Sequence, residues 1–273
     1  MKISFIGGGN MASALIAGLA GKLTAGEHIH VVDPNADALA RLQAQFGVST
    51  APAIDGALAA SDVIVLSVKP QQMREVAAAL LPHLAQAQPL ILSIAAGIRA
   101  ADLSRWLGGY GAIVRTMPNT PALIGLGITG MVATAGVTAQ QKSAADEILK
   151  AVGKTVWLND EAQIDPVTAV SGSGPAYVFY FIEAMQQAAQ ELGLSAEQGK
   201  ELALATFVGA AQLAAQSSDP VAVLRERVTS KGGTTFAALT SMQNAGIKES
   251  IVAAIKAAAA RGRELGEELG ADS

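Results

Sequence analysis

The sequence predicts two domains, an α/β domain with a parallel sheet followed by an all-helical domain. The chain has 273 residues, which is about twice the length of a typical domain. Up to about residue 160, short apolar segments alternate with helical ones, and this alternation is typical of a parallel sheet covered on both faces. Beyond about residue 165 no segment resembles a strand. We therefore place the domain boundary between residues 162 and 163.

The first domain is predicted from its alternating elements. Residues 62–68 (DVIVLSV) form a short β-branched run that is apolar on both faces, as expected of a buried strand. Residues 36–46 place Leu39, Leu42 and Phe46 on one helical face, and Gly47 ends that helix. The other predicted strands are residues 2–6, 29–32, 90–94 and 112–116. The other predicted helices are residues 11–20, 73–81 and 100–107.

The second domain shows helical periodicity. Residues 176–192 place Val178, Phe181 and Met185 at helical spacing. Ser195, with Gln198 three residues later, has the pattern of a capping box that opens the next helix. That helix is predicted to run to about residue 216, and Pro220 is predicted to start a shorter one. Two further helices are predicted over residues 234–243 and 247–269.

Composition excludes several classes of function. Net charge is −4 and no basic block stands out, so we expect neither nucleic acid nor an anionic membrane as a partner. Cysteine is absent, which excludes disulfides, thiolate metal sites and a cysteine nucleophile, and fits a cytoplasmic protein. All three histidines lie at or before His83, so no metal site is expected and the second domain has no histidine acid or base.

No targeting or membrane segment is expected. The N-terminus leads directly into a short apolar strand and then glycines, unlike a signal peptide. Two long stretches lack charge, residues 116–141 and 166–182. Glycines interrupt the first, and two glycines and a proline interrupt the second, so neither resembles a helix that spans a bilayer.

A glycine-rich turn after the first strand predicts a dinucleotide site. Gly7, Gly9 and Ala12 match G-x-G-x-x-A, and Asn10 and Met11 open the following helix. The first glycine permits a tight turn, the second allows close approach of a pyrophosphate, and the helix N-terminus binds the phosphates. This is the arrangement of a Rossmann-type domain. The alternative is a strand–turn–helix that is merely rich in glycine.

Asp33 ends the second strand about 20 residues after this motif, where an acidic residue accepts hydrogen bonds from the adenosine ribose. That role favours NADH over NADPH, and Asn35 is expected to adjoin the same ribose. The alternative is an ordinary turn residue before Pro34.

The carboxyl ends of the later strands should line the same crevice, since ligands bind there in such sheets. The candidate cofactor-binding residues at these ends are Val68, Lys69, Pro70, Ala95, Ala96, Gly97, Asn119 and Pro121. Lys69 is alternatively a solvated loop lysine, and residues 95–97 a helix-capping turn.

Two segments in the second domain are predicted to open helices, residues 171–176 (SGSGPA) and 230–235 (SKGGTT). The free N–H groups of a helix start are suited to a carboxylate. Each segment, taken alone, is also explained as a plain N-cap.

Together these motifs resemble the pyrroline-5-carboxylate reductase family. The matching segments occur in order over almost the whole chain: FIGGGNMA (5–12), VKP (68–70), SIAAGI (93–98), RTMPNTP (115–121), SGSGPAYVF (171–179) and TSKGGTT (229–235). Two positions depart from the pattern. Lys231 stands where many members have proline, and residues 53–55 lack an asparagine that some members place near the ribose, which leaves NADH against NADPH open.

The resemblance implies NAD(P)H-dependent reduction of 1-pyrroline-5-carboxylate to L-proline by a homodimer or larger homo-oligomer with interlocked helical domains. It implies that the N–H groups of Gly232, Gly233 and Thr234 hold the substrate carboxylate, which Ser230 borders, and that the Thr235 hydroxyl bonds the ring nitrogen. Asn119, Pro121 and Ala96 would place the nicotinamide, and Gly174 and Pro175 would shape the pocket wall.

Elementary chemistry agrees with this interpretation. A cyclic imine is basic enough to take a proton from water, and the protonated imine accepts hydride readily. Positioning and electrostatics can then supply most of the acceleration, which suits a domain without histidine. Ketone reduction, by contrast, needs a proton donor.

Two alternatives remain at this point. A β-hydroxyacid dehydrogenase shares the glycine-rich start and the helical second domain, but it carries a lysine on the first helix of that domain, and residues 175–192 contain none. The other alternative is a non-catalytic protein that senses NAD(P).

Dimerisation is expected from the long helix that follows Ser195. It is rich in alanine and glycine and buries little area per residue, so a single helical domain would have a thin core. Phe207, Val208 and Leu213 are expected to reach a partner subunit. The alternative is packing on the first domain of the same chain.

Overall fold

Eight strands form one sheet in the computed structural model, which describes residues 1–84 and 88–271. The strands are β1 (Ile3–Ile6), β2 (Ile29–Val32), β3 (Ser49–Ala51), β4 (Val63–Leu66), β5 (Leu90–Ser93), β6 (Ile113–Met117), β7 (Gly127–Ala133) and β8 (Gly153–Trp157). Their order is β3-β2-β1-β4-β5-β6-β7-β8, and the first six are mutually parallel. The predicted parallel sheet is confirmed.

Helices cover both faces of the sheet, as predicted. The first-domain helices are α1 (Asn10–Leu19), α2 (Ala36–Phe46), α3 (Met73–Leu80), α4 (Ala100–Trp106) and α5 (Ala139–Lys150). Successive strand residues alternate between two cores. Val63 and Val65 pack with α1, α2 and α5 on one face, and Ile64 and Leu66 pack with α3 and α4 on the other.

Strands β3, β7 and β8 were not predicted. Strand β7 runs antiparallel to β6, and β8 runs parallel to β7. Strand β7 lies in the glycine-rich stretch 116–141, and glycine is a weak strand former. Its Gly130 is explained by close packing, because a Cβ there would lie 2.7 Å from Cγ1 of Val167. Tertiary contact therefore outweighs local propensity in this strand.

The rest of the described chain is helical, as predicted. These helices are α6 (Ile164–Val167), α7 (Gly174–Glu191), α8 (Ala196–Gln216), α9 (Val221–Arg227), α10 (Thr234–Asn244) and α11 (Ile247–Gly270). The predicted capping box at α8 is confirmed: the N–H of Gln198 donates to Ser195 Oγ, and the N–H of Ser195 donates to Gln198 Oε1 at 2.9 Å. None of the helices in the described residues combines the length and apolar character needed to span a membrane.

The chain divides into two compact units that differ from the predicted domains. One unit is Met1–Ser173 together with the end of the chain from Ala258, and the other is Gly174–Ala257. Helix α6 belongs to the first unit because Val167 packs on Gly130, and the end of α11 joins it because Arg105 Nη2 donates to the Gly270 carbonyl at 2.7 Å. The domain boundary between residues 162 and 163 stays a prediction.

Candidate functional site

The turn between β1 and α1 joins three strands. Gly7 has φ +102°, and a Cβ there would lie 2.6 Å from the backbone oxygen of Ser67 at the end of β4. Its N–H donates to the Val32 carbonyl of β2 at 2.8 Å. Only glycine fits this position, because both the backbone conformation and the close approach exclude a side chain.

Gly9 differs from Gly7, since a Cβ there would meet no atom within 4 Å. It is the N-cap residue of α1, and its carbonyl accepts the first helical hydrogen bond, from Ser13. The N–H groups of Asn10, Met11 and Ala12 therefore precede the hydrogen-bond ladder of the helix. An open glycine before such a helix start fits the approach of a pyrophosphate.

Asp33 is held in place by backbone donors. Its Oδ2 accepts the N–H of Gly8 at 2.6 Å, and its Oδ1 accepts the N–H of Asn35 at 2.8 Å. Asn35 in turn caps α2, since its Oδ1 accepts the N–H groups of Asp37 and Ala38. The carboxylate thus closes a turn, as the alternative interpretation proposed, and it is also oriented at the carboxyl end of β2.

A cavity of about 630 Å³ opens at the carboxyl ends of β1, β2 and β4. The chain order reverses between β1 and β4, and open α/β sheets bind ligands at such a point. Six predicted cofactor residues line the cavity: Gly7, Gly9, Asp33, Asn35, Val68 and Lys69. The size is within the usual range for a ligand pocket. Together with the open Gly9 and the free helix start, the cavity fits a dinucleotide such as NAD(P)H.

Sequence analysis missed part of this lining. The missed residues are Pro52, Ala53 and Ile54 after β3, and Gln72, Glu75, Val76 and Ala79 in the segment that contains α3. The residues after β3 were not named as binding residues, because that strand has only three residues and was not predicted, and residues 53–55 entered only through the family resemblance. A helical-wheel analysis of α3 would have found its cavity-facing side.

The other predicted cofactor residues lie outside this lining. Asn10 and Met11 begin α1, and Pro70 opens a short 3₁₀ turn after β4. Residues 95–97 follow β5, and Pro121 lies in a 3₁₀ turn after β6. Since β5 and β6 are neighbours, the structure brings these last two segments to the same edge of the sheet.

The side chain of Asn119 is committed to the protein. It is buried, its Oδ1 accepts the N–H of Ile128 at 2.9 Å, and its Nδ2 donates to the carbonyl of Ser171 at 3.1 Å. The amide therefore joins the end of β6 to β7 and to the segment before α7. A contact between Asn119 and the nicotinamide stays a prediction.

The segment 171–176 leads into a helix, as predicted, and Pro175 lies in the first turn of α7. Residues 168–172 form a π-helical turn between α6 and α7, and the N–H of Ser173 donates to the Thr168 carbonyl at 2.8 Å. Pro175 explains the irregularity. It has no N–H to bond the carbonyl four residues earlier, which is that of Ser171, and Asn119 bonds this carbonyl instead.

The segment 230–235 does open a helix, as predicted. Gly232 has φ +76°, a conformation that favours glycine, and a Cβ on Gly233 would lie 2.5 Å from Ser230 Oγ, so a side chain there would displace the Ser230 hydroxyl. The first helical hydrogen bond of α10 runs from Ala237 to the Gly233 carbonyl. The N–H groups of Thr234 and Thr235 precede it and are free for an anion.

One detail of this segment differs from the prediction. The N–H of Gly233 donates to the carbonyl of Ser230 at 3.0 Å and closes the turn, so it is not free for a carboxylate. The Thr235 hydroxyl makes no hydrogen bond within the parts of the chain that the structure describes, and its side chain is half-buried. Thr235 is thus available to a ligand, as its predicted role requires.

Two protein-family models match this chain, one within the first compact unit and one across the boundary between the two units. Residues 2–97 match the family model "NADP oxidoreductase coenzyme F420-dependent", and residues 161–265 match "Pyrroline-5-carboxylate reductase dimerisation". The pyrroline-5-carboxylate reductase of Pseudomonas aeruginosa is 49% identical, over 98% of this chain and 98% of that protein.

Solved structures that resemble this chain over nearly its full length are from the same family as that relative. A pyrroline-5-carboxylate reductase from Coxiella burnetii has a TM-score of 0.92 and 39% identity, and the match covers 97% of this chain and 98% of the other. The Plasmodium falciparum pyrroline carboxylate reductase with NADP bound has a TM-score of 0.87 and 30% identity, with the same coverage. Identity of this extent over nearly the full length establishes that the chain belongs to the pyrroline-5-carboxylate reductase family.

Proposed function

We propose that this chain reduces the C=N bond of 1-pyrroline-5-carboxylate with NAD(P)H and forms L-proline, the last step of proline synthesis. The observation that carries the proposal is the 49% identity to a pyrroline-5-carboxylate reductase over 98% of both chains. The cavity beside Gly9 and the free N–H groups at the start of α1 support the binding of the cofactor.

The segment 230–235 is proposed to hold the substrate. The free N–H groups of Thr234 and Thr235, with that of Gly232, are donors for its carboxylate, at the positive end of the α10 dipole. Ser230 borders this position. The positively charged ring N–H of the imine donates to the free hydroxyl oxygen of Thr235, which orients the C=N bond.

The hydride and the proton that the reduction requires come from the cofactor and from water, not from side chains of the helical unit. NAD(P)H, when bound, supplies the hydride. The imine takes its proton from water, so the chain needs no acid of its own, and it has no histidine or cysteine beyond His83 to provide one. Its residues position the reactants and stabilise charge, which accounts for much of enzymatic rate acceleration. A β-hydroxyacid dehydrogenase would need a lysine on α7, and α7 has none.

Asp33 is proposed to favour NADH. Two backbone N–H groups orient its carboxylate beside the cavity, so it is not free to turn away from a ribose 2′-phosphate. The negative charges of the Asp33 carboxylate and of a ribose 2′-phosphate would therefore repel each other. Lys69 lines the same cavity and is the cation available to a cofactor phosphate.

We further propose a homodimer built on the helical unit. Large apolar side chains are exposed there on several helices: Phe179, Tyr180, Leu192, Leu202, Val208 and Leu213 are each more than half exposed. Exposed apolar area of this extent is typical of an interface. The match of residues 161–265 to a dimerisation model supports the same proposal.

The function is tested by following NAD(P)H absorbance with the purified chain and 1-pyrroline-5-carboxylate. We expect oxidation of the cofactor only when the imine is present, with proline as the product. Assays with β-hydroxyacids and NAD(P)+ give the comparison for the other class of dehydrogenase. Binding of NAD(P)H without imine-dependent oxidation would contradict the proposal and favour a sensing protein.

A further inference from the structure

A partly buried ion pair lies at the end of the loop that connects β5 to α4. The Arg115 side chain on β6 is only 5% exposed, and its Nη1 donates to Glu161 Oε1 at 2.7 Å. The same carboxylate oxygen accepts the N–H of Ala100, the first residue of α4, also at 2.7 Å. One carboxylate thus ties the start of α4 to the centre of the sheet.

Glu161 supplies a cap that the local sequence lacks. The N-cap residue of α4 is Arg99, whose side chain makes no capping hydrogen bond. The carboxylate of a residue 61 positions away takes that place, and a negative charge at a helix N-terminus is favourable. A capping box at Asp160 and Gln163 holds the short turn that presents Glu161.

The surroundings of Arg115 are polar although they are buried. Ser93 and Arg115 are cross-strand partners and so share a face of the sheet. Ser93 Oγ and Arg115 Nε are both buried without a hydrogen-bond partner. Burying a charge costs free energy, and a protein in which packed apolar residues replace a buried ion pair is often equally stable. An apolar pair, however, could not accept the N–H of Ala100, so only the charged pair fixes the start of α4 to β6.

The loop in front of the cluster is held on its other side as well. Gly97 has φ +74°, and a Cβ there would lie 3.0 Å from Leu269 Cδ1 of α11. Arg99 pairs with Glu267 of the same helix at 3.5 Å. The Ser93 carbonyl at the start of the loop accepts the Thr116 hydroxyl at 2.9 Å. Residues 94–99 therefore have fixed ends, and Glu161 holds the end that leads into α4.

We propose that Arg115 and Glu161 are positioning residues that hold Ala95, Ala96 and Gly97 in the geometry that places the nicotinamide for hydride transfer. The inference rests on the proposed function, in which these three residues adjoin the nicotinamide. The pair touches neither substrate nor cofactor and acts through the start of α4.

The test compares Glu161→Ala with Glu161→Gln, which keeps an oxygen that can accept from Ala100 and Arg115. The control is Asp146→Ala, which breaks an ion pair with Lys150 and a hydrogen bond from Thr155 on the other face of the sheet. We expect Glu161→Ala to lower kcat by about ten- to a hundredfold, because small misplacements slow hydride transfer. The dissociation constant of NAD(P)H should change less than about threefold, since the adenosine half binds elsewhere.

Two further readouts separate positioning from general loss of structure. With C4-deuterated cofactor, the isotope effect on kcat should rise in Glu161→Ala, because hydride transfer becomes rate-limiting. Amide exchange in residues 94–100 should become roughly tenfold faster without any ligand. In Glu161→Gln the isotope effect and the exchange rate should both return most of the way to the wild-type values. Asp146→Ala should change neither the isotope effect nor the exchange rate.

Unchanged exchange and kcat in Glu161→Ala would overturn the proposal, as would a parallel loss of kcat and cofactor affinity that Glu161→Gln does not restore. A wild-type chain that binds NAD(P)H but does not reduce the imine would contradict the proposed function instead. In that case the exchange measurement alone decides whether Glu161 holds the loop.

Discussion

Thr235 stands at the start of α10 with a hydroxyl that no protein group in the described residues uses. If that hydroxyl orients the imine, Thr235→Ala should lower kcat/KM by about ten- to a thousandfold, as does the loss of one well-placed transition-state hydrogen bond. Folding should be unaffected, because the side chain is only half-buried at a helix start. Steady-state kinetics and circular dichroism measure the two effects.

The matched control for this change is Thr240→Ala, which removes a hydroxyl from the same helix, five residues on. We expect it to retain activity. Unaltered kinetics in Thr235→Ala would remove this hydroxyl from the mechanism.

Asp33 allows a second prediction at the residue scale. Its carboxylate is fixed by two backbone N–H groups, so a 2′-phosphate would meet a charge that cannot move aside. Asp33→Ser should raise the ratio of kcat/KM for NADPH to that for NADH by about ten- to a hundredfold, which corresponds to a repulsion of about 1–3 kcal/mol.

Asp37→Ser is the control, because Asp37 lies in the first turn of α2 and outside the cavity lining. It should leave the cofactor ratio unchanged. A wild-type chain that already prefers NADPH tenfold would show that Asp33 does not set the preference.

At the scale of elements, the π turn before α7 is held by one amide side chain. Asn119→Asp keeps the acceptor for Ile128 but loses the donor to the Ser171 carbonyl. A partly buried carbonyl without its partner, beside a carboxylate, should lower the free energy of unfolding by about 1–3 kcal/mol. Urea denaturation at neutral pH measures this loss.

Acid should partly reverse the effect of Asn119→Asp. The carbonyl favours the protonated carboxyl, so the pKa of the new carboxyl is raised in the folded state. The stability difference from the wild type should therefore shrink as pH falls toward the pKa of an unfolded aspartate, about 3.9. A deficit that stays constant with pH would mean that the lost donor is not its cause.

At the scale of the whole molecule, the helical unit exposes an apolar stripe on α8. Leu204 and Val208 are 40% and 57% exposed, and Ala211 shares their face of α8 at helical spacing. Ala211→Glu would bury a charge in a dimer interface and should weaken dimerisation by about 2–5 kcal/mol. Light scattering and thermal unfolding measure dissociation and the accompanying loss of stability.

Ala40→Glu places the same charge on an exposed position of α2 in the first unit and is the control. It should leave the assembly intact. A wild-type chain that is a folded, active monomer at micromolar concentration would contradict the proposed dimer.

Much of this protein was determined by residues that are close in sequence. The glycine turn before α1, the cap of α8 and the ends of α2 were predicted correctly from local patterns. These features depend on backbone sterics and on hydrogen bonds between residues a few positions apart. The family, too, could be inferred from short motifs in a fixed order.

Only the tertiary structure decided the rest. Strand β7 pairs across the sheet despite its glycines, Asn119 bonds a carbonyl 52 residues away, and Glu161 caps a helix that begins 61 residues earlier. The N–H of Gly233 was predicted to be free and is engaged by a turn. Such partners are chosen by which groups come together when the chain packs, because each buried donor and acceptor must find a partner wherever the fold places one.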